Sequence, residues 1–515
     1  MPIPIIDLFA GPGGLNEGFS HVRDNHNQPV FASAISVEME ECAHRTLELR
    51  ALYRKLRAAD NTKDYYRYVK GLISRDELFT RSGSLAAEAQ AEAVRATLGE
   101  SESANAEIEE KIRKALKHAG TDDCVLIGGP PCQAYSLVGR ARRTKEKLED
   151  FEKDAKHLLY QEYLRIVKLF RPMAFIMENV TGLLSAKHKG ARMFERICQD
   201  LRDAGYTLHA MSPTDGARDA DDPRDYVINA EEHGVPQARC RVFILGLRAD
   251  LGLTAGTLPA PSGKPVTVAQ AIADLPRIRS RLSKQHDSGE EWLRAITEGF
   301  LKYEFPHLDP KFRESLRDRL GAMHANYRLG AQSMERAKPG PEKLHHWFVE
   351  ADCDVVLNHN SRGHIVRDLH RYFFWSAFAA WYGRSPSLSG VPHYLRPKHG
   401  NVTGDATDVP FGDRFRVQLR SAPSTTIVSH IAKDGHYYIH YEPRQCRSLS
   451  VREAARLQTF PDSYFFEGAP TDQYRQVGNA VPPYLARQIG TVVHQILTGQ
   501  TRATKTPQAS GCEAA

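Results

Sequence analysis

The sequence predicts an α/β fold built on a mostly parallel sheet, and three observations predict it. Short apolar runs at 3–9, 30–37, 124–127, 174–177 and 241–246 alternate with stretches whose apolar residues recur at helical spacing. That order of strands and helices argues for parallel strands joined by crossovers. The run at 124–127 is broken by Gly128-Gly129-Pro130-Pro131, where a central strand must stop because proline cannot continue it. Hydrophobic residues are 41% and charged residues 26% of 515, the balance of a soluble globular chain with a sizeable core. The length points to two or three domains.

The elements follow in order. The run at 3–9 is a strand that ends at Ala10-Gly11-Pro12-Gly13-Gly14, and Leu15, Phe19 and Val22 then recur on one helical face. A second strand at 30–37 ends at Glu38. Residues 40–120, rich in Ala, Glu, Arg and Lys, read as helices, with a helical insertion at about 50–120 that is solvated around 84–118. After the strand at 124–127, residues 141–157 are densely charged and read as an exposed loop or helix face. A helix at 158–170 stops before Pro172, and the strand at 174–177 ends at Glu178-Asn179-Val180. The strand at 241–246 closes this first part, residues 1–248.

Residues 249–415 lose the strand–helix alternation and carry many Pro, Gly, His and Arg, the pattern of an inserted, irregular second domain. Regular elements return at 416–498. Asp434-Gly435 is a hairpin signal. Ser450-Val451-Arg452-Glu453 is a capping box that opens a helix, with Pro461 beyond its end. A last helix covers 483–497, and the polar tail 499–515 reads as disordered.

Bulk properties exclude several classes. The net charge of +6 permits a polyanionic partner without demanding one. The eight cysteines form no CxxC pair, which argues against a zinc site and a disulfide framework and for a reducing compartment. No apolar run is long enough to span a membrane. Met1 leads at once into the first strand, so neither a secretory signal nor a regulatory domain is expected ahead of the first motif.

Cys132 is the most informative residue. A thiol at the tip of a strand in an α/β fold sits where ligands bind, although a small buried cysteine in a turn is the plain alternative. The turn at 11–14 lets a ligand approach the backbone closely. It lacks the third glycine of the dinucleotide fingerprint, where Asn16 stands, and the lysine of a phosphate loop. Glu38 is the right kind of acid for ribose hydroxyls, or an ordinary helix-start carboxylate. Glu178 at a buried strand's end is costly unless paired or used, or is a helix cap. Arg239 and Arg241, two apart, would share a strand face and suit an anionic or carbonyl-rich ligand, or form a salt-bridged pair.

Taken together, five motifs resemble the ordered motif series of the DNA cytosine-5 methyltransferases, in its bacterial modification-type form. They are the runs at 7–14 (Asp7 to Gly14), 129–133 (Gly129-Pro130-Pro131-Cys132-Gln133), 178–180, 237–241 and 476–482. Residues 449–461 resemble a late motif of the same family. The resemblance implies a Rossmann-like S-adenosylmethionine-dependent methyltransferase fold with a target-recognition domain at 249–415. Phe9, Gly11, Gly13 and Gly14 would hold S-adenosylmethionine, with Glu38 on its ribose and Met39 against its adenine. Pro130, Leu159, Asn479 and Ala480 would complete that pocket, and S-adenosylhomocysteine would be the product. Cys132 would be the nucleophile, Glu178 the acid that reads cytosine, Arg241 a ligand of the base's carbonyl, and Arg239 a support. The family's adenine-contacting acid has no evident counterpart before Cys124.

The chemistry fits these residue types. Cytosine C5 is a poor nucleophile until a thiolate adds at C6, and hydrogen bonds to the N3 edge and to O2 stabilise the charge that develops. None of this can occur inside a duplex, so the base must flip out, and 141–157 would close over it. The implied partners are double-stranded DNA and a cognate restriction endonuclease acting on the same site, with no metal and no membrane. A monomer in the bacterial cytoplasm, at the nucleoid, is expected. Asn358, His359, Asn360, Arg362 and His364 are the expected DNA contacts of the middle region. Two other readings stay open: a transfer-RNA cytosine-5 methyltransferase of the same fold, and a catalytically silent DNA-binding homologue. A reader of duplex sequence needs area, which favours DNA for so long a middle region.

Overall fold

A computed structural model describes residues 1–131, 159–188, 191–212, 222–261, 263–303, 305–336, 343–397 and 414–500. Cys132, the charged stretch 141–157 and almost all of the polar tail lie outside the described residues. The sheet is built from β1 (Ile3–Leu8), β2 (Phe31–Glu38), β3 (Ala93–Arg95), β4 (Val125–Gly128), β5 (Ala174–Val180), β6 (Tyr206–His209), β7 (Val227–Asn229) and β8 (Cys240–Arg248). Its order is β3-β2-β1-β4-β5-β8-β6, with β7 also paired to β8. The pairs from β3 through to β5 are parallel, and β8 runs antiparallel to β5, β6 and β7.

β1 is central because it is apolar on both faces, as a parallel strand covered by helices must be. Ile6 and Leu8 face one layer with Leu126, Ile108 and Val167, while Ile5 faces the other with Val125, Phe19 and Ile489. Helix α1 (Gly14–Ser20) and the last helix, Pro483–Leu497, share that second layer.

The stretch 50–120 is only in part an insertion. The helix Glu41–Ala58 and the three short helices Lys63–Val69, Arg75–Ser82 and Ser84–Glu92 do form a helical block. β3 then returns to the sheet beside β2, with Glu38 opposite Arg95. The helix Glu102–Ala119 is the crossover to β4 and buries Ile108, Ile112 and Leu116 against the sheet. The expectation of a solvated segment at 84–118 is therefore corrected. Its large apolar residues form a narrow stripe at a spacing of four, flanked by Ala115, and the many charged residues around it mask it in composition.

Residues 249–415 contain an ordered helical core. The helices Gly289–Leu301, Pro310–Gly321 and Val366–Tyr382 surround Trp292, Phe300, Phe312, Phe373 and Trp375. Packing is continuous across residue 415, since Phe415, Val417, Ile439 and Cys446 belong to that same core. Asp434-Gly435 makes no hairpin among the described residues. Asp434 Oδ1 accepts from the His436 amide (3.0 Å), and Ile439 bridges in parallel to Val417 and antiparallel to Ser448. The expected capping box is present: Ser450 Oγ accepts from Glu453 N, and the Glu453 carboxylate accepts from Ser450 N.

Candidate active site

The strand order reverses at β1. From β1 the chain winds outward through β2 and β3, then returns to place β4 and β5 on β1's other side. A crevice opens outside the carboxyl ends of the strands at such a reversal. Register puts Leu8, Val37, Gly128 and Met177 at that edge, so the segments that follow them meet there: 9–14, 38–39, 129–131 and 178–180. Four separate motifs of the sequence are thus brought to one rim.

On the β1–β2 side lies the glycine turn. Phe9 (φ 55°), Gly11 (φ 57°) and Gly13 (φ 91°) are all left-handed, and Phe9 packs on the core below. A Cβ on Gly14 would lie 2.2 Å from the Val481 carbonyl, so only glycine lets the late segment, with Asn479 and Ala480, close on the turn. Glu38 accepts from Gly11 N through Oε2 and from Glu40 N through Oε1, both at 2.8 Å. Burial raises its pKa, against the pull of those two amides. Met39 is 58% exposed at the same rim. Leu159 opens the helix Leu159–Phe170. Past β3 the chain reads Arg95-Ala96-Thr97-Leu98, so no carboxylate stands at that strand's end.

Asp7 is the residue that reading by motif left without a role. It is 1% exposed, and neither carboxylate oxygen has a hydrogen-bond partner among the described residues. Burial, then the negative charge of Glu38, pushes its pKa well above the ordinary range, with Arg54 opposing. A buried carboxylate without a partner is costly and calls for a cation or a donor. S-adenosylmethionine carries both an ammonium and a sulfonium, so the donor set of Asp7, Glu38 and the glycine turn fits that molecule. An acid inside the otherwise apolar run at 3–9 was the available signal.

On the β4–β5 side lies a charged pair. Arg241 Nε is 3.0 Å from Glu178 Oε1, and both side chains are largely buried. Gly129 stands against them, since a Cβ there would lie 2.9 Å from Glu178 Oε2. Asn179 Nδ2 donates to the Pro130 carbonyl (3.2 Å) and ties β5 to the segment that leads into Cys132. Arg239 does not join the pair. It is buried, donates to the carbonyls of Ile427 and Ala480 (2.9 Å each), and so binds the β8 approach to the late segment. Gln458 Nε2 donates to the same Ala480 carbonyl, and Gln237 Oε1 accepts from Ile427 N (2.8 Å).

The middle-region residues expected at DNA are mostly internal. Asn358 and His359 are fully buried, and His364 nearly so. Asn358 (φ 55°) clamps Phe466 through both amide atoms, His359 bridges Ser450 and Pro276, and Arg362 donates to Ile431 and Ala432 carbonyls. Their hydrogen-bonding capacity is spent on the fold, which corrects that expectation. Among the described residues no group of three or more His, Cys, Asp or Glu could hold a metal ion, and no helix is long and apolar enough to cross a membrane.

Comparison with known proteins agrees with this geometry. The family model for C-5 cytosine-specific DNA methylase matches residues 100–495. The Type II methyltransferase M.Bpa9945I of Bacillus paralicheniformis is 32% identical over 511 residues, covering 96% of this chain and 99% of the relative. Type II methyltransferase M1.HphI of Haemophilus parahaemolyticus is 27% identical, covering 97% and 89%. A crystal structure described as a prophage-encoded DNA modification methyltransferase (E. coli) superposes with a TM-score of 0.51 at 18% identity, covering 96% of this chain and 99% of that one; it shows a shared fold. With the strand rim, the glycine turn and the Glu178–Arg241 pair already in place, these matches establish that the chain belongs to the C-5 cytosine-specific DNA methylase family.

Proposed function

We propose that this cytosine methyltransferase methylates C5 of cytosine within a specific sequence of double-stranded DNA, using S-adenosylmethionine, through Cys132. The observation that carries the reading is the Glu178–Arg241 pair, 3.0 Å apart at the strand rim, with the chain that enters Cys132 held beside it by Asn179. When bound at the turn, S-adenosylmethionine supplies a methyl group as an electrophile. Asp7 and Glu38 would hold its cationic and ribose groups, and Phe9, Gly11, Gly13, Gly14, Met39, Pro130, Leu159, Asn479 and Ala480 would line the pocket.

The chain's own residues prepare the base. Cys132 adds as thiolate to C6 of a cytosine flipped out of its stack, and C5 becomes electron-rich. Glu178 bonds the N3 and amino edge, and Arg241 donates to O2, so the charge formed on addition meets groups already oriented. Arg239 keeps the β8 approach in place. After transfer, loss of the C5 proton and departure of the Cys132 sulfur restore the ring. Residues 249–415 supply target recognition from side chains other than the internal set at 358–364. The type II names of the relatives support a modification role, and we propose with it a cognate endonuclease and a monomer in the cytoplasm.

Labelled methyl transfer to duplex DNA against transfer RNA tests the reading. We expect label in duplex DNA, none with Cys132→Ala, and S-adenosylhomocysteine binding retained in that variant. A duplex carrying 5-fluorocytosine at the target should become covalently attached at Cys132. Label only in RNA overturns the DNA assignment, and near-normal turnover by Cys132→Ala overturns the nucleophile.

A further inference from the structure

The glycine turn has a back as well as a front, and the back is built by residues outside the motif series. A Cβ on Gly13 would lie 2.7 Å from Leu47 Cδ2 and 3.1 Å from the Tyr464 hydroxyl, so both pack directly under the turn. The buried Tyr464 hydroxyl donates to the Pro12 carbonyl inside the turn. The Arg50 guanidinium lies over the Tyr464 ring (4.8 Å) and the Tyr53 ring (4.4 Å).

Arg50 then forks onto Glu17, with Nε to Oε2 at 2.9 Å and Nη2 to Oε1 at 2.5 Å, and its Nη1 donates to Ser463 Oγ at 3.1 Å. Glu17 is fully buried in the first turn of α1. The carbonyl in the middle of the turn and the helix that leaves it are therefore both anchored from behind. The anchors come from the helix Glu41–Ala58 and from a residue 452 positions away. No other described contact holds the Pro12 carbonyl.

We infer that Tyr464 and Arg50 are positioning residues that set the shape of the methyl-donor turn and so tune donor affinity without touching the reacting atoms. The inference rests on the donor assignment proposed above. A turn that presents backbone to a ligand binds well only when its own conformation is already fixed. Tyr464→Phe removes one donor and leaves the Pro12 carbonyl buried and unpaired, while the ring that supports Arg50 stays. Arg50→Lys keeps the charge and loses the planar fork.

Equilibrium binding of S-adenosylhomocysteine, by calorimetry well below the melting temperature, is the direct readout. Steady-state methylation of a target duplex is the second. Tyr464→Phe should weaken S-adenosylhomocysteine by about tenfold. The donor KM should rise alongside, with kcat at saturating donor within about twofold and the DNA KM unchanged. Arg50→Lys should move the same two quantities in the same direction. Wild-type affinity in a folded Tyr464→Phe variant overturns the inference. So does a variant in which donor and DNA binding weaken equally, since that reports general loosening. A wild-type chain that binds no S-adenosylhomocysteine overturns the donor assignment itself.

Discussion

Arg241 and Glu178 are diagonal neighbours across the antiparallel β5–β8 pair: Glu178 stands opposite Phe243 and Arg241 opposite Val180. Residues two apart on facing strands lie on one face of a sheet, which is why the fork of one meets the carboxylate of the other at 3.0 Å. In the proposed reaction each would hold the other ready for the base. The antiparallel β8 is what makes this possible, because it carries its first residues to the rim where β5 ends.

Glu178→Gln should lower kcat by about 10²–10³-fold, the usual loss when one oriented group is withdrawn from a developing charge. Arg241→Ala should give a similar loss. The double variant should lose much less than the product of the two, because each single change also frees the partner. Single-turnover methylation of a target duplex measures all three rates. Independent, multiplicative losses would show that the pair does not act as a unit.

Asp7→Asn should separate stability from binding. Asp7 has a raised folded-state pKa, so the stability it contributes is present only below the pKa of the unfolded chain and is lost as pH rises through the folded value. At neutral pH the native carboxylate is a net cost, and the amide removes it. The melting temperature of the ligand-free protein should rise by roughly 2 °C, while S-adenosylhomocysteine should bind about tenfold more weakly. Thermal melts and calorimetry on one sample check both. Lower stability with unchanged binding would refute the assignment.

Acid should loosen the junction between the middle region and the late segment. His359 Nε2 faces the Pro276 carbonyl at 2.9 Å, so it donates there, and Nδ1 accepts from the Ser450 hydroxyl at 2.7 Å. Burial pushes His359 down to about 4 and His440 down to about 3. Burial alone would raise Glu453, but the Arg447 charge overrides it and holds the carboxyl well below the usual range. All three titrate lower in the folded chain. The two histidines' contribution is complete above their unfolded value, about 6.5, and is lost as pH falls through about 4 for His359 and about 3 for His440, while the Glu453 contribution is lost only in stronger acid. Melting temperature should be flat near neutrality and drop steadily below about pH 6.5. His359→Gln should flatten that slope. A melting temperature that climbs on acidification would reverse the sign of the argument.

Much of the rim was legible in the sequence because its strands announce where they end. β1, β4 and β5 are short apolar runs cut off by Gly, Pro or an acid, and the cut-off residues are the ones that assemble the site. The helix Pro483–Leu497 was equally plain from its apolar spacing. Readings failed where side-chain type was taken for location. Asn358, His359 and His364 look like surface or DNA contacts, yet all three are buried, Asn358 and His359 against backbone carbonyls and His364 between the Tyr372 and Ser448 hydroxyls. No local pattern announces a partner more than 80 residues away, as Pro276 is from His359. The Glu102–Ala119 helix was expected as a helix but not as a buried one, since a stripe of three apolar residues drowned in charge still buries itself when a sheet face is there to receive it. Asp7 was visible as an acid in an apolar strand, but its lack of a partner among the described residues is a fact of three dimensions.

The packing of α1 against Pro483–Leu497 has a consequence for how the protein is made. Leu15 and Phe19 are translated long before the Leu485, Ile489 and Val493 that cover them. At 5–20 residues per second the ribosome needs roughly half a minute or longer to deliver that lid. Until then the nascent chain carries an uncovered oily stripe, a natural client for chaperones. A product cut short before the helix Pro483–Leu497 lacks that lid, so premature termination should yield material destined for proteolysis rather than a partly competent enzyme.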